Sequence, residues 1–161
     1  MKYNYLVPMG DITKVNEHKT TIVRAEEEYV FDEEQKRFVD LRSGLWNTNL
    51  GYKKELYEII RQRFTEQLSK SLTYLDIHSF HHPVYQEYAK KLATFADKEG
   101  FYEQVIYTNS GSECTELALK ISRQINKSNQ KILAFSQGYH GTFWGGMSIS
   151  GLDQEVTDIY S

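Results

Sequence analysis

The stretch YTNSGSECTELALK, Tyr107–Lys120, decides how this chain folds. An apolar strand, Val105-Ile106-Tyr107, runs into the turn Asn109-Ser110-Gly111-Ser112, and an amphipathic helix follows. Cys114, Leu117, Ala118, Ile121 and Ile125 recur at helical spacing, so one face of that helix is expected to be buried. A Ser-Gly-Ser turn ahead of a helix aims backbone N–H groups and two hydroxyls at one point. The unpaired donors and the helix dipole favour an anion there, above all a phosphate. Local sequence leaves a second reading open: Ser112 as an ordinary N-cap and Gly111 as an ordinary turn glycine.

The composition bounds what the rest can be. A chain of 161 residues, 40% hydrophobic and 25% charged, has the make-up of a folding domain or part of one. A net charge of -3, with basic residues interleaved among acids, gives nucleic acid no footprint. The acidic run Glu26–Glu28 reads as a solvated stretch. One cysteine, Cys114, excludes an internal disulfide framework, and its place on the apolar helix face makes it a small core residue. The N-terminal MKYNYLVPMGDI lacks a signal-peptide core, and no apolar run is long enough to span a bilayer. A cytoplasmic protein without membrane contact is expected.

Moving outward from the decisive stretch, residues 20–31 and Arg37–Leu41 alternate apolar and polar around the polar connector Asp32–Lys36. They predict an antiparallel hairpin or meander. LRSGLWNTNLGY, Leu41–Tyr52, is irregular by its Gly and Asn content, yet its Leu and Trp suit a loop tucked into a core or lining a pocket. Residues 53–72 predict a helix with Leu56, Ile59, Ile60, Phe64 and Leu68 on one stripe. Leu72–His82 predicts a loop, and Pro83 the first turn of a helix burying Val84, Tyr88, Leu92 and Phe95 or Ala96 and ending near Gly100. Strands at 104–108 and 131–135 flank the central helix, and helix–strand alternation is the pattern of a parallel α/β sheet. Residues 1–51 are expected to form an N-terminal segment and residues 52–161 part of a larger cofactor-binding domain.

A second glycine-rich segment, SQGYHGTFWGGMSISG, Ser136–Gly151, follows the second strand directly. Ligands in open α/β sheets sit beyond the carboxyl ends of strands, and both special segments lie there. Tyr139 could stack on a flat heteroaromatic ligand and His140 could orient it, or the two could be a structural pair in a glycine loop. His78, His81 and His82 have no Cys or well-spaced carboxylate to complete a metal site. The G-x-S-x-G elbow, the Walker A loop and the G-x-G-x-x-G fingerprint are absent, which removes the signatures of serine hydrolases, nucleotide kinases and Rossmann dehydrogenases.

Four blocks together resemble the N-terminal part of the class III (ω-amino acid) aminotransferases, pyridoxal-phosphate enzymes of fold type I. YVFDEEQKRFVDLRSGLWNTNLGY resembles the family's opening hairpin and G-[IL]-W…N-x-G-[HY] loop, and HSFHHPVYQEYAKKLATFA the stretch before the cofactor loop. YTNSGSECTELALKISR resembles the N-S-G-[TS]-E-A…K-x-[AS]-R block, and ILAFSQGYHGTFWGGMSISG the Y-H-G-x-[TS] block. The resemblance implies a mixed, mostly parallel α/β sheet with flanking helices behind the N-terminal meander.

It also implies roles. Ser110, Gly111 and Ser112 would hold the cofactor phosphate, Tyr139 would stack on the pyridine ring, and His140 would support it. Trp46 would line the substrate entrance, and it and the aromatics around Phe80 suit an apolar or amine-type substrate. Cys114 stands where the family usually has Ala, and Gln35 where the hairpin usually has Gly. The Schiff-base lysine and the aspartate that pairs with the pyridine nitrogen fall outside the matching region, so no catalytic residue is assigned here. They are expected from a separate C-terminal half or from further sequence, in an oligomer whose sites lie at a subunit interface. The activity implied is amino transfer from an amine or amino acid to a keto or aldehyde acceptor. The alternative is a non-catalytic remnant or regulatory partner of such a subunit.

Overall fold

A computed structural model describes residues 20–72, 74–128 and 131–152. The N-terminal Met1–Ile12 and the terminal Asp158–Ser161 lie outside the described residues. The chain forms two compact units, Met1–Phe80 and His81–Ser161.

The first unit opens on a three-stranded antiparallel meander, β1 (Ile22–Glu26), β2 (Tyr29–Asp32) and β3 (Arg37–Val39), in the order β1-β2-β3. The expected meander is there, with the acidic run serving as its first turn: Glu26 pairs with Tyr29, and Glu27 takes a φ of 52°. A bulge between Ile22 and Arg24 interrupts the register with β2. The second turn is closed by Asp32, whose Oδ1 accepts from the N–H groups of Glu34 (3.0 Å) and Lys36 (2.9 Å). Gln35 sits there at φ 62°, the left-handed conformation that glycine adopts most readily. Charged side chains cover the rings: the Arg24 guanidinium lies 3.7 Å from the Phe31 centroid and that of Arg37 4.4 Å from Tyr29.

After the meander the chain makes a single helical turn, α1 (Ser43–Trp46), of the wrong hand. Ser43, Gly44, Leu45 and Trp46 have φ of 48°, 57°, 62° and 66°. Left-handed helix costs roughly 1–2 kcal/mol per non-glycine residue, because Cβ crowds the following carbonyl oxygen. Helix α2 (Lys54–Leu68) follows and stops four residues short of the predicted end, in a Ser69–Ser71 turn where Ser71 has φ 55°.

In the second unit α3 (Pro83–Ala96) starts as the sequence predicts, with Pro83 at its first position. His82 is its N-cap, Nδ1 accepting from the Val84 N–H at 3.2 Å. The helix ends at Ala96, and Gly100 (φ 81°) lies in the turn beyond, which the Asp97 carboxylate closes on the N–H groups of Glu99 and Phe101. Helices α4 (Gly111–Ile125) and α5 (Trp144–Ile149) then pack together.

Residues 104–108 and 131–135 are not the strands expected, because neither stretch joins a sheet ladder among the described residues. The first is instead tied to α3 by aromatic contacts. The Tyr107 ring lies 5.6 Å from Tyr85 and 5.9 Å from Tyr88, and its hydroxyl donates to the Tyr85 carbonyl at 2.6 Å.

The apolar helix faces are likewise uncovered. Of the large hydrophobic side chains described, only Met147 is buried, at 4% exposure, whereas Ile125 is 80% exposed and Phe64 64%. Cys114 is exposed too, with Sγ 2.7 Å from the Thr108 hydroxyl, so it has no core seat. The stripes read from the sequence are real, but, the Tyr107 ring beside Tyr88 apart, most of their large side chains stay exposed.

Candidate functional site

Helix α4 begins with a reciprocal cap. Ser110 is the N-cap, its Oγ accepting from the Glu113 N–H at 3.2 Å, and Glu113 Oε2 reaches back to the Asn109 N–H at 2.6 Å. The cap therefore falls two residues before Ser112, the residue expected to fill it. This arrangement leaves the next two amides alone. The N–H groups of Gly111 and Ser112 find no acceptor among the described residues, and nothing lies within 4 Å of the position a Cβ on Gly111 would take. Two unpaired donors at a positive helix end suit an anion.

The second glycine-rich segment comes up against this helix end. Gly141 is buried at φ 116°, and a Cβ there would stand 3.0 Å from both Cα and Oγ of Ser112. That backbone angle and that approach both require glycine. The Thr142 N–H donates to Ser112 Oγ at 3.1 Å, with the two hydroxyls 3.4 Å apart.

The loop carrying these contacts is closed on itself. The amides of Gly151 (3.0 Å) and Leu152 (3.3 Å) donate to the Gly138 carbonyl. Ser150 Oγ accepts from the His140 N–H at 2.9 Å and donates to the Gly146 carbonyl at 2.7 Å. Glu116 on α4 accepts from the Gly146 N–H at 2.9 Å, which binds α5 to α4.

Tyr139 and His140 therefore sit on a loop whose place beside Ser112 is fixed. The Tyr139 ring is 52% exposed and free to receive a flat partner. His140 folds back over Gly138, where a Cβ would lie 2.5 Å from its Nε2, and that nitrogen is buried with no hydrogen-bond partner. The structure thus brings Ser110, Gly111, Ser112, Tyr139 and His140 into one unit. Sequence reasoning missed Thr142, Ser150 and Glu116, which hold the loop there. Only the repeated Ser and Thr near the glycines hinted at them. Lys120 is about 15 Å along the α4 axis from Ser110, beyond the reach of its own side chain to the helix start.

Trp46 and Phe80 belong to the first unit. Trp46 ends the left-handed turn and is 73% exposed. The turn is held by Asp40, which the sequence did not single out. Asp40 Oδ2 accepts from the Gly44 N–H at 2.7 Å and the Tyr52 hydroxyl at 2.6 Å, and Oδ1 from the Arg42 N–H at 3.0 Å. The Tyr52 hydroxyl, then the Gly44 N–H, hold the Asp40 carboxyl below its ordinary 3.8. The same Asp40 bond pushes the Tyr52 phenol above its ordinary 10.0. Phe80 lies in an exposed turn, its N–H bonded to the Asp76 carbonyl at 2.9 Å. The Ser79 hydroxyl and then the His78 N–H lower the Asp76 carboxyl.

A capped helix with two open amides, a glycine loop seated on its first turn and an exposed ring on that loop together make a candidate site for an anion and a flat ring on a mixed α/β scaffold. The chain belongs to the class III aminotransferases: residues 12–160 match the family described as Aminotransferase class-III. It is 34% identical over 128 residues to the acetylornithine aminotransferase of Lactococcus lactis, covering 80% of this chain and 31% of that protein. It is 31% identical over 155 residues to the putrescine–pyruvate aminotransferase of Pseudomonas aeruginosa, covering 92% and 33%.

Among solved structures it superposes on an amine transaminase from an uncultivated Pseudomonas species in its PLP-bound form. The TM-score is 0.81 at 26% identity, over 94% of this chain and 34% of that one. The fold is thus that of the fold type I transaminases. The chain spans about a third of the length of the curated relatives it matches. No helix among the described residues is long and apolar enough to cross a membrane.

Proposed function

We propose that this chain supplies the phosphate cup and the ring-covering residue of a pyridoxal-phosphate-dependent aminotransferase. The complete enzyme moves an amino group from an amine or amino acid to a keto or aldehyde acceptor. Family membership supports this, and one observation carries it: Gly141 packs on Ser112 beside the two unpaired amides of α4. The residues fit the cofactor. The Gly111 and Ser112 N–H groups would donate to its phosphate, each charge-assisted bond contributing about 1.5–3 kcal/mol. Gly111 keeps the space before the helix clear, and Tyr139 would cover the ring.

When bound, the cofactor supplies an electron sink for the substrate's α-carbon. The chain's own part is to hold and orient it and to keep water from one face. In the whole enzyme, residues 1–51 act as the N-terminal segment and residues 52–161 as part of the cofactor-binding domain. Trp46 and Phe80 line the substrate side. The lysine and the remaining walls of the site come from further sequence or a partner chain, within a cytoplasmic oligomer.

The test is to titrate pyridoxal phosphate into the complete enzyme, this chain together with its further sequence or partner chain, and into the 161-residue chain alone, following visible absorbance and transamination of amines with pyruvate. Turnover is expected from the complete enzyme, with neither turnover nor a new visible band from the chain alone. Turnover by the chain alone contradicts the need for further residues. Cofactor binding without turnover by the complete assembly favours a regulatory or remnant role.

A further inference from the structure

We propose that Asp40 and Tyr52 form a clamp that sets the orientation of Trp46, which makes Asp40 a positioning residue for the substrate side of the site.

Four consecutive positive φ angles ending on a tryptophan are not held by packing. Leu41, Leu45, Trp46 and Leu50 are all exposed. Polar ties hold them instead. One Asp40 carboxylate binds the start of the turn through the Arg42 and Gly44 amides and the far end of the loop through the Tyr52 hydroxyl. Tyr52 is itself fixed to the meander by two backbone bonds with Glu27, at 2.6 and 3.2 Å. Gly51 makes that approach possible, since a Cβ there would lie 2.7 Å from the Glu27 carbonyl oxygen.

Within the turn, the Trp46 N–H donates to the Arg42 carbonyl at 2.8 Å, and the Asn47 amide donates to the Leu45 carbonyl at 3.1 Å. The backbone that carries the indole is thus held by a chain of bonds: Glu27 to Tyr52, Tyr52 to Asp40, and Asp40 to the Gly44 amide two residues before Trp46. Strain of this kind persists only where the surroundings over-determine it, and it collects at sites that use it. A bulky ring at the end of such a turn can rank substrates by size only while the turn is held.

The consequence for selectivity rests on the aminotransferase reading, but the orientation itself does not. The experiment is fluorine NMR on the complete enzyme with this chain labelled with 5-fluorotryptophan, the Trp46 resonance being assigned with Trp46→Phe. Tyr52→Phe removes one bond of the clamp and Asp40→Asn removes its charge. Both are expected to move the Trp46 resonance toward that of a solvent-averaged ring while leaving the Trp144 resonance in place. Asp40→Glu is expected to restore part of the shift.

In the same samples, kcat/KM for a bulky amine relative to a small one should change about tenfold, with kcat for the small amine nearly constant. An unmoved Trp46 resonance in both variants overturns the proposal. So does an equal loss of rate for every amine. A shifted resonance in a protein that transaminates nothing upholds the clamp and overturns the aminotransferase reading.

Discussion

The two units hold unusual backbone in opposite ways. Around Ser112 the chain relies on glycine: Gly141 at φ 116° lets two segments touch, and no side chain has to force the angle. Around Trp46 only one of the four left-handed residues is glycine, and a carboxylate and a phenol impose the conformation from outside. Glycine gives a close approach that stays put whatever the solvent does. A polar clamp holds a conformation that depends on its two ionisable partners. On the function proposed above, the first would serve a cup with one constant ligand and the second a wall that grades ligands.

Substitutions can break that contrast. The largest effect is expected from Gly141→Ala, which combines a disallowed φ with a Cβ against the Ser112 backbone. Where the loop shifts off Ser112 to relieve a strain of about 3 kcal/mol, that cost returns on binding as roughly a 100-fold loss of cofactor affinity, measured by titrating pyridoxal phosphate into the complete enzyme carrying the variant chain. Next is Ser110→Ala, which removes the α4 cap and should lower stability by about 1 kcal/mol in denaturant melts. Ser110→Gly should cost only a few tenths of that unit. Arg24→Gln, which removes one exposed cation–ring contact and the exposed ion pair with Glu26, should cost about 0.5 kcal/mol by the same measurement, less than the loss of the cap in Ser110→Ala.

The smallest effect expected is a pH dependence confined to the Trp46 side. Asp40 titrates below 3.8 in the folded chain, so its contribution is present above that value and fades as pH falls through the folded value. Tyr52 titrates above 10.0 when folded, so its contribution is complete below 10.0 and fades as pH rises past it. The Trp46 resonance should hold steady between those limits and drift beyond them. In Tyr52→Phe the alkaline drift should vanish.

The same contrast explains what could be read from the sequence. Glycine devices leave a compositional trace, so Ser110–Ser112 and Gly138–Gly141 stand out as special loops, and Pro83 marks its helix start without help. The capping position was less legible, because Ser110 and Ser112 both precede the apolar run. Only the reach of Glu113 to Asn109 shows that Ser110 carries it.

The Asp40 clamp leaves no trace of its own: an Asp before Leu-Arg-Ser-Gly reads as ordinary loop chemistry, and its partner Tyr52 is twelve residues on. Residues 104–108 and 131–135 have strand-like composition, yet a strand exists only within a ladder, and neither stretch joins one among the described residues. The helix stripes fail as burial predictions for the same reason. Periodicity says which face seeks cover, not what covers it.

On the proposed function, the first turn of α4 and the Gly138–Thr142 loop together form the cofactor's phosphate cup. The decisive measurement is a crystal structure of the complete enzyme with pyridoxal phosphate. Phosphate oxygens are expected within hydrogen-bond reach of the Gly111 and Ser112 N–H groups, with the Tyr139 ring over the pyridine. A cofactor bound elsewhere, with those two amides still unpaired, would contradict it.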